Sequence, residues 1–356
     1  MGSLGKLRRG SEATVILLLT LFSLFLLGIV ALVDYFLDLN FFPFGLIVLV
    51  LVCVGFIFLQ WLVSPAIVRW AAHIRRYLQR QDNPWLYDTV QNLAAKAQVP
   101  MPKVAVIDDP TPNAFVFGRT VNSAELVIHI GLLERLNKQE IEGVIAHEMG
   151  HLRHRDVITM TLVSAIPIVA YIIARGGLEL MRASGGSRSS KDKGGAVAAA
   201  LAVALISYFV YFITQMLVLH LSRTREYYAD SYSAAATGSP RYLRSALVKI
   251  AYGLSLTPAK KEPSGLRAFF IGDPVKASED AALLKERMAE YDLNRDGEID
   301  EFELRKAMEH EAKSHWTKAN ELFATHPPTY KRILMLEELE EEFNKGRLPE
   351  NIYQYA

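Results

Sequence analysis

Four long apolar segments are the feature that most restricts how this chain of 356 residues can fold. Residues 13–33 and 43–63 each provide 21 consecutive residues without a charged side chain. Residues 157–174 and 196–221 also lack Asp, Glu, Lys and Arg. A helix that crosses a bilayer needs about 20 apolar residues. The sequence therefore predicts a mainly α membrane protein with four transmembrane or membrane-embedded helices.

Basic residues precede the segment 13–33 and follow the segment 43–63, whereas the short connection between them has none. The basic residues are Lys6, Arg8, Arg9, Arg69, Arg75, Arg76 and Arg80. By the positive-inside rule, both outer ends of this hairpin lie on the cytoplasmic side of the cell membrane. A cleaved signal peptide is the alternative for the first segment, but it is too long and no small-residue cleavage site follows it.

The second pair of apolar segments leaves two interpretations open. Residues 184–195, between the two segments, form a loop rich in Gly, Ser and Lys. Two full crossings are preferred, although they would carry the basic residues around this loop to the outer side, against the positive-inside rule. The alternative is a hairpin that dips into the bilayer or packs as buried core helices.

These segments divide the chain into alternating membrane and aqueous parts. We expect an N-terminal transmembrane hairpin in residues 1–74 and a second membrane hairpin in residues 157–221. Residues 75–156 and 222–356 are together long enough for one catalytic domain that the second hairpin interrupts.

Charge and cysteine content exclude several classes of function. The net charge is +1 and no long block of Lys or Arg occurs, so nothing attracts the chain to nucleic acid. The single cysteine, Cys53, lies within an apolar segment. Disulfides and thiolate zinc sites are therefore excluded, and any metal must be bound by His, Asp or Glu.

The sequence His147-Glu148-Met149-Gly150-His151 lies on a helix predicted over residues 138–156. Two histidines four residues apart project from one face of a helix and can bind one metal ion. Glu148, beside the first histidine, is placed to act as a general base. The pattern arises by chance in roughly one chain in a hundred of this length, so by itself it is suggestive; the alternative is a solvated helix.

A catalytic zinc ion needs a third protein ligand. One known pattern would require a histidine at position 157, where this chain has Val157. Glu226 and Asp230, just after the fourth apolar segment, share a helix face, so Glu226 can bind zinc while Asp230 orients a ligand histidine. The alternative is an ordinary acidic pair on a solvated helix. The ligands must share one side of the membrane, so we expect the metal near its cytoplasmic surface.

Short motifs in a specific order give the chain a resemblance to the HtpX family of membrane zinc peptidases, from the first hairpin to about Leu336. The motifs are residues 112–118, 131–133, 146–151, 222–230 and 325–328. The resemblance implies an α+β zincin-like cytoplasmic catalytic domain with a small edge β-sheet. It also implies cleavage of misfolded or damaged membrane proteins, as protein quality control.

The resemblance assigns roles to individual residues. It implies that His147, His151 and Glu226 bind zinc and that Glu148 is the base. It implies that Asn113 and the strand after it bind extended substrate backbone by strand addition, a general mode of peptide recognition. The substrate-binding residues are then Asn113, Ala114 and Phe115. It further implies that His326 lies near the scissile carbonyl and stabilises the oxyanion.

Residues 292–303 match the twelve-residue EF-hand calcium loop, which the family resemblance does not lead us to expect. Gly297 provides the sharp turn at position 6. The candidate calcium ligands are Asp292, Asn294, Asp296, Glu298, Asp300 and Glu303. The alternative is an acidic turn between two helices. No second loop of this form occurs in the sequence, so the loop binds weakly, pairs with a second molecule or is structural. Our hypothesis is that calcium orders residues 278–313.

The leading hypothesis is therefore a zinc endopeptidase in the cell membrane, with polypeptide substrates, contact with the lipid bilayer and possible calcium modulation. A prenyl-protein (CAAX-type) processing protease is one alternative, but it would be expected to have about seven spans. A non-catalytic, calcium-responsive membrane scaffold is another, but a structural zinc site does not need the base Glu148.

Overall fold

The computed structural model describes residues 3–37, 40, 42–185, 193–256 and 324–345. The candidate calcium loop, residues 292–303, and the segment 278–313 around it lie outside the described residues. The described part is mostly helical, with four long apolar helices and one small mixed sheet. The fold class predicted above is therefore confirmed.

Four of the helices are long and apolar enough to cross a membrane. They are α1 (Ser3–Leu37), α2 (Phe42–Ala71), α6 (Asp156–Gly185) and α7 (Lys193–Thr237). Each is longer than the apolar segment from which it was predicted, because the helix continues through polar residues at its ends. At about 1.5 Å per residue, the 45 residues of α7 extend roughly 68 Å, well beyond a hydrocarbon core of about 30 Å.

The chain forms two compact units. One contains Leu7–Val63 and Thr159–Leu221; the other contains Ser64–Ile158 and Ser222–Ala356, so far as these are described. In the first unit, apolar side chains of α1, α6 and α7 pack around Leu18. Gly177 allows α6 to approach α7, because a Cβ atom there would lie 2.9 Å from the carbonyl oxygen of Ala200. Small residues at helix contacts are typical of membrane proteins.

The second unit contains the remaining elements. They are α3 (Pro84–Ala97), β1 (Lys103–Ile107), β2 (Ala114–Phe117), β3 (Glu125–His129), α4 (Ile130–Arg135), α5 (Lys138–Arg153), α8 (Pro240–Leu256) and α9 (Thr329–Asn344), with a 3₁₀ turn at Val121–Ser123. Strand β3 is central, with β1 parallel to it on one side and β2 antiparallel on the other. Strand β2 is thus an edge of the described sheet.

Helix α5 is fixed at its start and along one face. Asn137 and Glu140 form a capping box that satisfies two free N–H groups of the first turn. The buried Glu140 carboxylate also accepts a hydrogen bond from Ser245 at 2.6 Å and pairs with Lys249 at 2.7 Å, both on α8. Burial acts to raise the pKa of Glu140, but Lys249 and Ser245 outweigh it and hold that pKa below its ordinary value.

A glycine lets α5 and α8 cross closely. A Cβ atom on Gly143 would lie 2.7 Å from the backbone nitrogen of Leu243. The hydroxyl of Ser233, on α7, donates to the carbonyl oxygen of Gly143 at 2.7 Å. Helix α5 is therefore held by two neighbours at this level, one turn before His147.

Candidate metal centre and active site

Three side chains from α5 and α7 converge on one point. The Nε2 atoms of His147 and His151 are 3.2 Å apart. The carboxylate of Glu226 lies 3.6 Å from His147 Nε2 and 3.5 Å from His151 Nε2, through its Oε2 and Oε1 atoms respectively. His147 is 1 % exposed and Glu226 is 5 % exposed, so water is almost excluded from both.

These separations fit a zinc ion. Zinc in proteins is usually tetrahedral, with bonds of about 2.1 Å, which puts neighbouring ligand atoms about 3.4 Å apart. The three measured separations lie between 3.2 and 3.6 Å. Two imidazoles and one carboxylate also leave the fourth position of a tetrahedron open, as catalytic zinc sites do.

A carboxylate orients each of the two histidines. His147 Nδ1 lies 2.9 Å from Asp230 Oδ1, and His151 Nδ1 lies 2.8 Å from Asp156 Oδ2. A carboxylate can only accept, so each Nδ1 donates and each Nε2 directs its lone pair towards the centre. The structure thus brings Asp230 to His147, one of the two histidines predicted to bind zinc. Asp156, which carries out the same task for His151, was not identified from the sequence; its only signal is its position at the start of α6.

Two arginines, the buried Arg332 and the half-buried Arg225, complete the arrangement and were also missed. Arg332 of α9 donates to both oxygens of Asp230, at 2.8 and 2.6 Å, and its Nη1 lies 3.2 Å from Glu226 Oε2. Arg225 Nη1 lies 2.7 Å from Asp156 Oδ1. The available signal for Arg332 was its position six residues after His326, in the helix that follows the Pro-Pro turn.

The pKa shifts of the two histidines have opposite directions, and that of His151 points to an excess of negative charge. Burial lowers the pKa of His147, more than Asp230 raises it. Burial acts to lower the pKa of His151 as well, but the carboxylates of Asp156 and Glu226 outweigh it and raise that pKa well above its ordinary value. A pocket that draws a proton onto the half-buried imidazole of His151 carries an excess of negative charge, which a divalent cation would neutralise.

Glu148 lies between the metal-ligand cluster and the sheet. Its side chain is buried, and burial raises the pKa of its carboxyl to about 7, against the charge of His151 and the backbone hydrogen bond of Val116 on β2. A cation bound by the neighbouring ligands would favour the ionised form. A carboxyl whose pKa is shifted towards neutrality suits proton transfer in both directions.

The edge strand offers backbone groups beside Glu148. The N–H of His129 donates to the carbonyl oxygen of Asn113 at 3.0 Å. Alternate residues of an antiparallel strand direct their N–H and C=O groups to the same side. The backbone groups of Phe115 therefore also point to β3, whereas those of Ala114 and Val116 point away from it. The hydrogen bond of Val116 with Glu148 agrees with this phase. Of the three predicted substrate-binding residues, Ala114 therefore directs its backbone groups to the free edge.

The structure also brings His326 to the cluster. Its Nδ1 lies 3.2 Å from Glu226 Oε1, and the side chain is buried. Arg223 of α7 donates to the carbonyl oxygen of Ala324 at 2.8 Å and so attaches this segment to the helix that carries Glu226. The six candidate calcium ligands, by contrast, lie outside the described residues.

Comparisons with known proteins identify the family of the chain. The model of peptidase family M48 matches residues 80–340. The protease HtpX homolog of Aeropyrum pernix is 32% identical over 298 residues, which cover 81% of this chain and 85% of the relative. The homolog of Tropheryma whipplei is 30% identical over 337 residues, covering 94% and 97%.

The crystal structure of S. mikatae Ste24p is a structural neighbour, with a TM-score of 0.49 and 18% identity. The match covers 86% of this chain but only 61% of Ste24p. The family assignment depends on the sequence matches, which extend over most of the chain and over most of each relative. With its four apolar helices, the chain belongs to peptidase family M48 and is a multi-pass membrane metalloprotease of the HtpX type.

Proposed function

We propose that this protease is a zinc endopeptidase that cleaves misfolded or damaged membrane proteins at the cytoplasmic face of the cell membrane. The observation that carries the proposal is the spacing of the ligand atoms of His147, His151 and Glu226, each within 3.2 to 3.6 Å of another, beside the buried Glu148. We propose residues 75–156 and 222–356 as the catalytic domain.

The chemistry divides between the metal and the side chains. Zinc held by His147, His151 and Glu226 would act as a Lewis acid, polarising the substrate carbonyl and making water a better nucleophile. Glu148 accepts a proton from the water as its oxygen forms a bond to the carbonyl carbon. As the C–N bond breaks, Glu148 returns that proton to the departing amine. His326 donates a hydrogen bond to the carbonyl oxygen as negative charge develops on it.

An extended substrate fits the free edge of β2. Strand addition pairs main-chain N–H and C=O groups of the peptide with those of an exposed strand, whatever the side chains. The backbone groups of Ala114 face that edge, and the backbone of Val116, two residues further along, forms a hydrogen bond with Glu148. A substrate strand in this phase would bring a peptide bond close to the base. Recognition through the backbone suits a protease that acts on unfolded segments of many sequences.

The cytoplasmic orientation is supported by charge. Basic residues flank both outer ends of the first hairpin, and its connection has none. An active site on that side would meet unfolded cytoplasmic segments of membrane proteins. Nothing in the described residues favours prenyl-protein processing, since they contain four candidate spans and not the seven or so that it would lead us to expect.

Metal removal tests the proposed function. We expect the purified full chain in detergent to contain one zinc ion and to cleave an unfolded, casein-type substrate. A chelator should abolish cleavage, and added zinc should restore it, because the ligand set requires a divalent cation. A chain that cleaves equally well after complete metal removal would contradict the proposal. Cleavage of a stably folded soluble protein, measured in parallel, should stay slow because it presents no extended segment.

We also propose, from the sequence of residues 292–303, that calcium modulates this activity. We expect calcium to raise thermal stability or activity of the full chain. Glu303→Gln should weaken calcium binding at least about tenfold, because it removes the bidentate ligand at position 12. Glu301→Gln is the matched control, since it removes the same charge at position 10, which does not bind the ion.

The outcomes of the calcium titration are distinct. Equal responses of the Glu303 and Glu301 variants would show that any calcium effect does not come from this loop. Flat activity and stability of the unmodified chain would contradict modulation altogether. Because EF-hand loops usually pair, the oligomeric state should be measured with and without calcium, and calcium-dependent association would support pairing with a second chain.

A further inference from the structure

We propose that Arg332 is a positioning residue of the metal centre, which fixes the third ligand and one ligand histidine. The inference rests on the zinc site proposed above. The side chain of Arg332 is 1 % exposed, although it carries a permanent charge. A buried guanidinium is costly unless carboxylates surround it. Arg332 therefore lies at this position because of the groups it contacts.

The contacts of Arg332 lead directly to the ligands. Two of its nitrogens bind the two oxygens of Asp230 in a bidentate pair, at 2.8 and 2.6 Å. Its third nitrogen lies 3.2 Å from Glu226 Oε2. The fork of the guanidinium matches a carboxylate in one plane, so it fixes the orientation of Asp230 as well as its position.

Asp230 transmits this orientation to His147. Its Oδ1 atom, bound by Arg332 at 2.6 Å, also lies 2.9 Å from His147 Nδ1. That second contact selects the tautomer in which Nε2 is free to bind metal. Without Arg332, the Glu226 and Asp230 carboxylates, one helical turn apart and buried, would repel each other. Both side chains would then leave the positions that the ligand set needs.

The charge of Arg332 has an opposing effect, because a guanidinium repels a cation. Three carboxylates other than that of Glu148 oppose two guanidinium groups, so the cluster stays attractive to a divalent cation with Arg332 present. The three carboxylates are those of Asp156, Glu226 and Asp230, and the guanidinium groups are those of Arg225 and Arg332. Attraction is therefore already sufficient, and the geometry of the ligands is what Arg332 supplies.

A second arginine provides a matched control for the attachment of α9. Arg244 of α8 pairs with Glu337 at 3.0 Å and with Glu340 at 3.5 Å, both on α9. These ion pairs hold the same helix, and none of the three residues is a proposed ligand or a group that orients one. Replacing Arg244 should loosen α9 without altering the ligand set. Comparing the two arginines separates attachment of the helix from positioning of the ligands.

The test measures Zn²⁺ affinity of the metal-free full chain in detergent, by competition with a coloured chelator. We expect Arg332→Met to weaken zinc binding 10- to 100-fold, the usual loss when a group that orients a ligand is removed. Arg332→Lys keeps the charge but not the bidentate fork, and it should also weaken binding. Arg244→Met should lower the melting temperature and change zinc affinity less than about twofold. Co²⁺, whose visible absorption depends on coordination geometry, should give a shifted spectrum in both Arg332 variants only.

Several results would overturn the proposal. Zinc affinity of Arg332→Met equal to or tighter than that of the unmodified chain would show that the guanidinium does not position the ligands. An equal loss in Arg244→Met would reduce its role to attachment of α9. If Arg332→Met does not fold, Arg332→Lys decides, and full zinc affinity in that variant would contradict a role for the fork. An unmodified chain that binds no zinc would instead contradict the proposed function.

Discussion

Replacing Glu148 with Gln is expected to lower kcat/KM for an unfolded peptide substrate by about 10²- to 10⁴-fold, the usual contribution of general acid–base catalysis. Glutamine has the size of glutamate, so the packing of this buried side chain of α5 beside β2 is preserved. Its amide cannot accept the proton of the attacking water. Zinc content should stay at one ion per chain, because the ligands His147, His151 and Glu226 are unchanged. Metal analysis and cleavage kinetics on one preparation measure both quantities.

The control for this experiment is Glu142→Gln, on the same helix. Glu142 is partly exposed and lies away from the ligand cluster, so cleavage should be unchanged. If Glu148→Gln binds zinc and cleaves at the original rate, Glu148 is not the base and the proposed mechanism is wrong. If the variant loses zinc together with activity, the carboxylate contributes to metal binding, which the mechanism above does not include.

Replacing Gly131 with Ala is expected to lower the free energy of unfolding by about 3 kcal/mol, at the upper end of the usual range for overpacking. A Cβ atom on Gly131 would lie 2.0 Å from the carbonyl oxygen and 2.3 Å from the carbonyl carbon of Pro110. Both are backbone atoms and cannot rotate away. The same loop is held by the N–H of Gly131, which donates to Asp109 at 2.9 Å, and by Arg135, which donates to Pro110 at 2.7 Å.

The displaced loop leads directly into Asn113 and β2, so the variant should also bind substrate more weakly. Differential scanning measurements should show a melting temperature lower by roughly 6–12 °C, at about 2–4 °C per kcal/mol for a unit of this size. Gly176→Ala is the control, because a Cβ atom there meets nothing within 4 Å. A Gly131 variant as stable as the control would contradict the close packing of this loop on α4.

Local features of the sequence predicted much of this structure. Apolar length alone predicted the four long helices, because a bilayer imposes the same minimum length on every span. It could not predict their ends, since a helix continues through charged residues once it reaches water. Helix α7 shows this: residues 196–221 were predicted as an apolar segment with Glu226 just after it, and the single helix Lys193–Thr237 contains both. No Gly or Pro interrupts the sequence between them.

The groups that orient the ligands were less predictable. Asp230 was proposed because it shares a helix face with Glu226, which is a local pattern. Arg332 is separated by 185 residues from His147, and the tertiary packing of α9 alone brings them together. No local pattern specifies such a contact. No local pattern specifies either that β1 pairs in parallel with β3, the strand that follows β2 in the sequence.

The distribution of the site along the chain has a consequence for biosynthesis. Arg332 follows His147 by 185 residues, and both membrane hairpins precede His326 and Arg332 in the sequence. The ribosome therefore synthesises both apolar hairpins and the base Glu148 long before it reaches the last residues of the site. On the roles proposed here, the growing chain is an inert intermediate until His326 and Arg332 have been translated. Late completion of the active site would protect neighbouring nascent membrane proteins from cleavage while they are still unfolded.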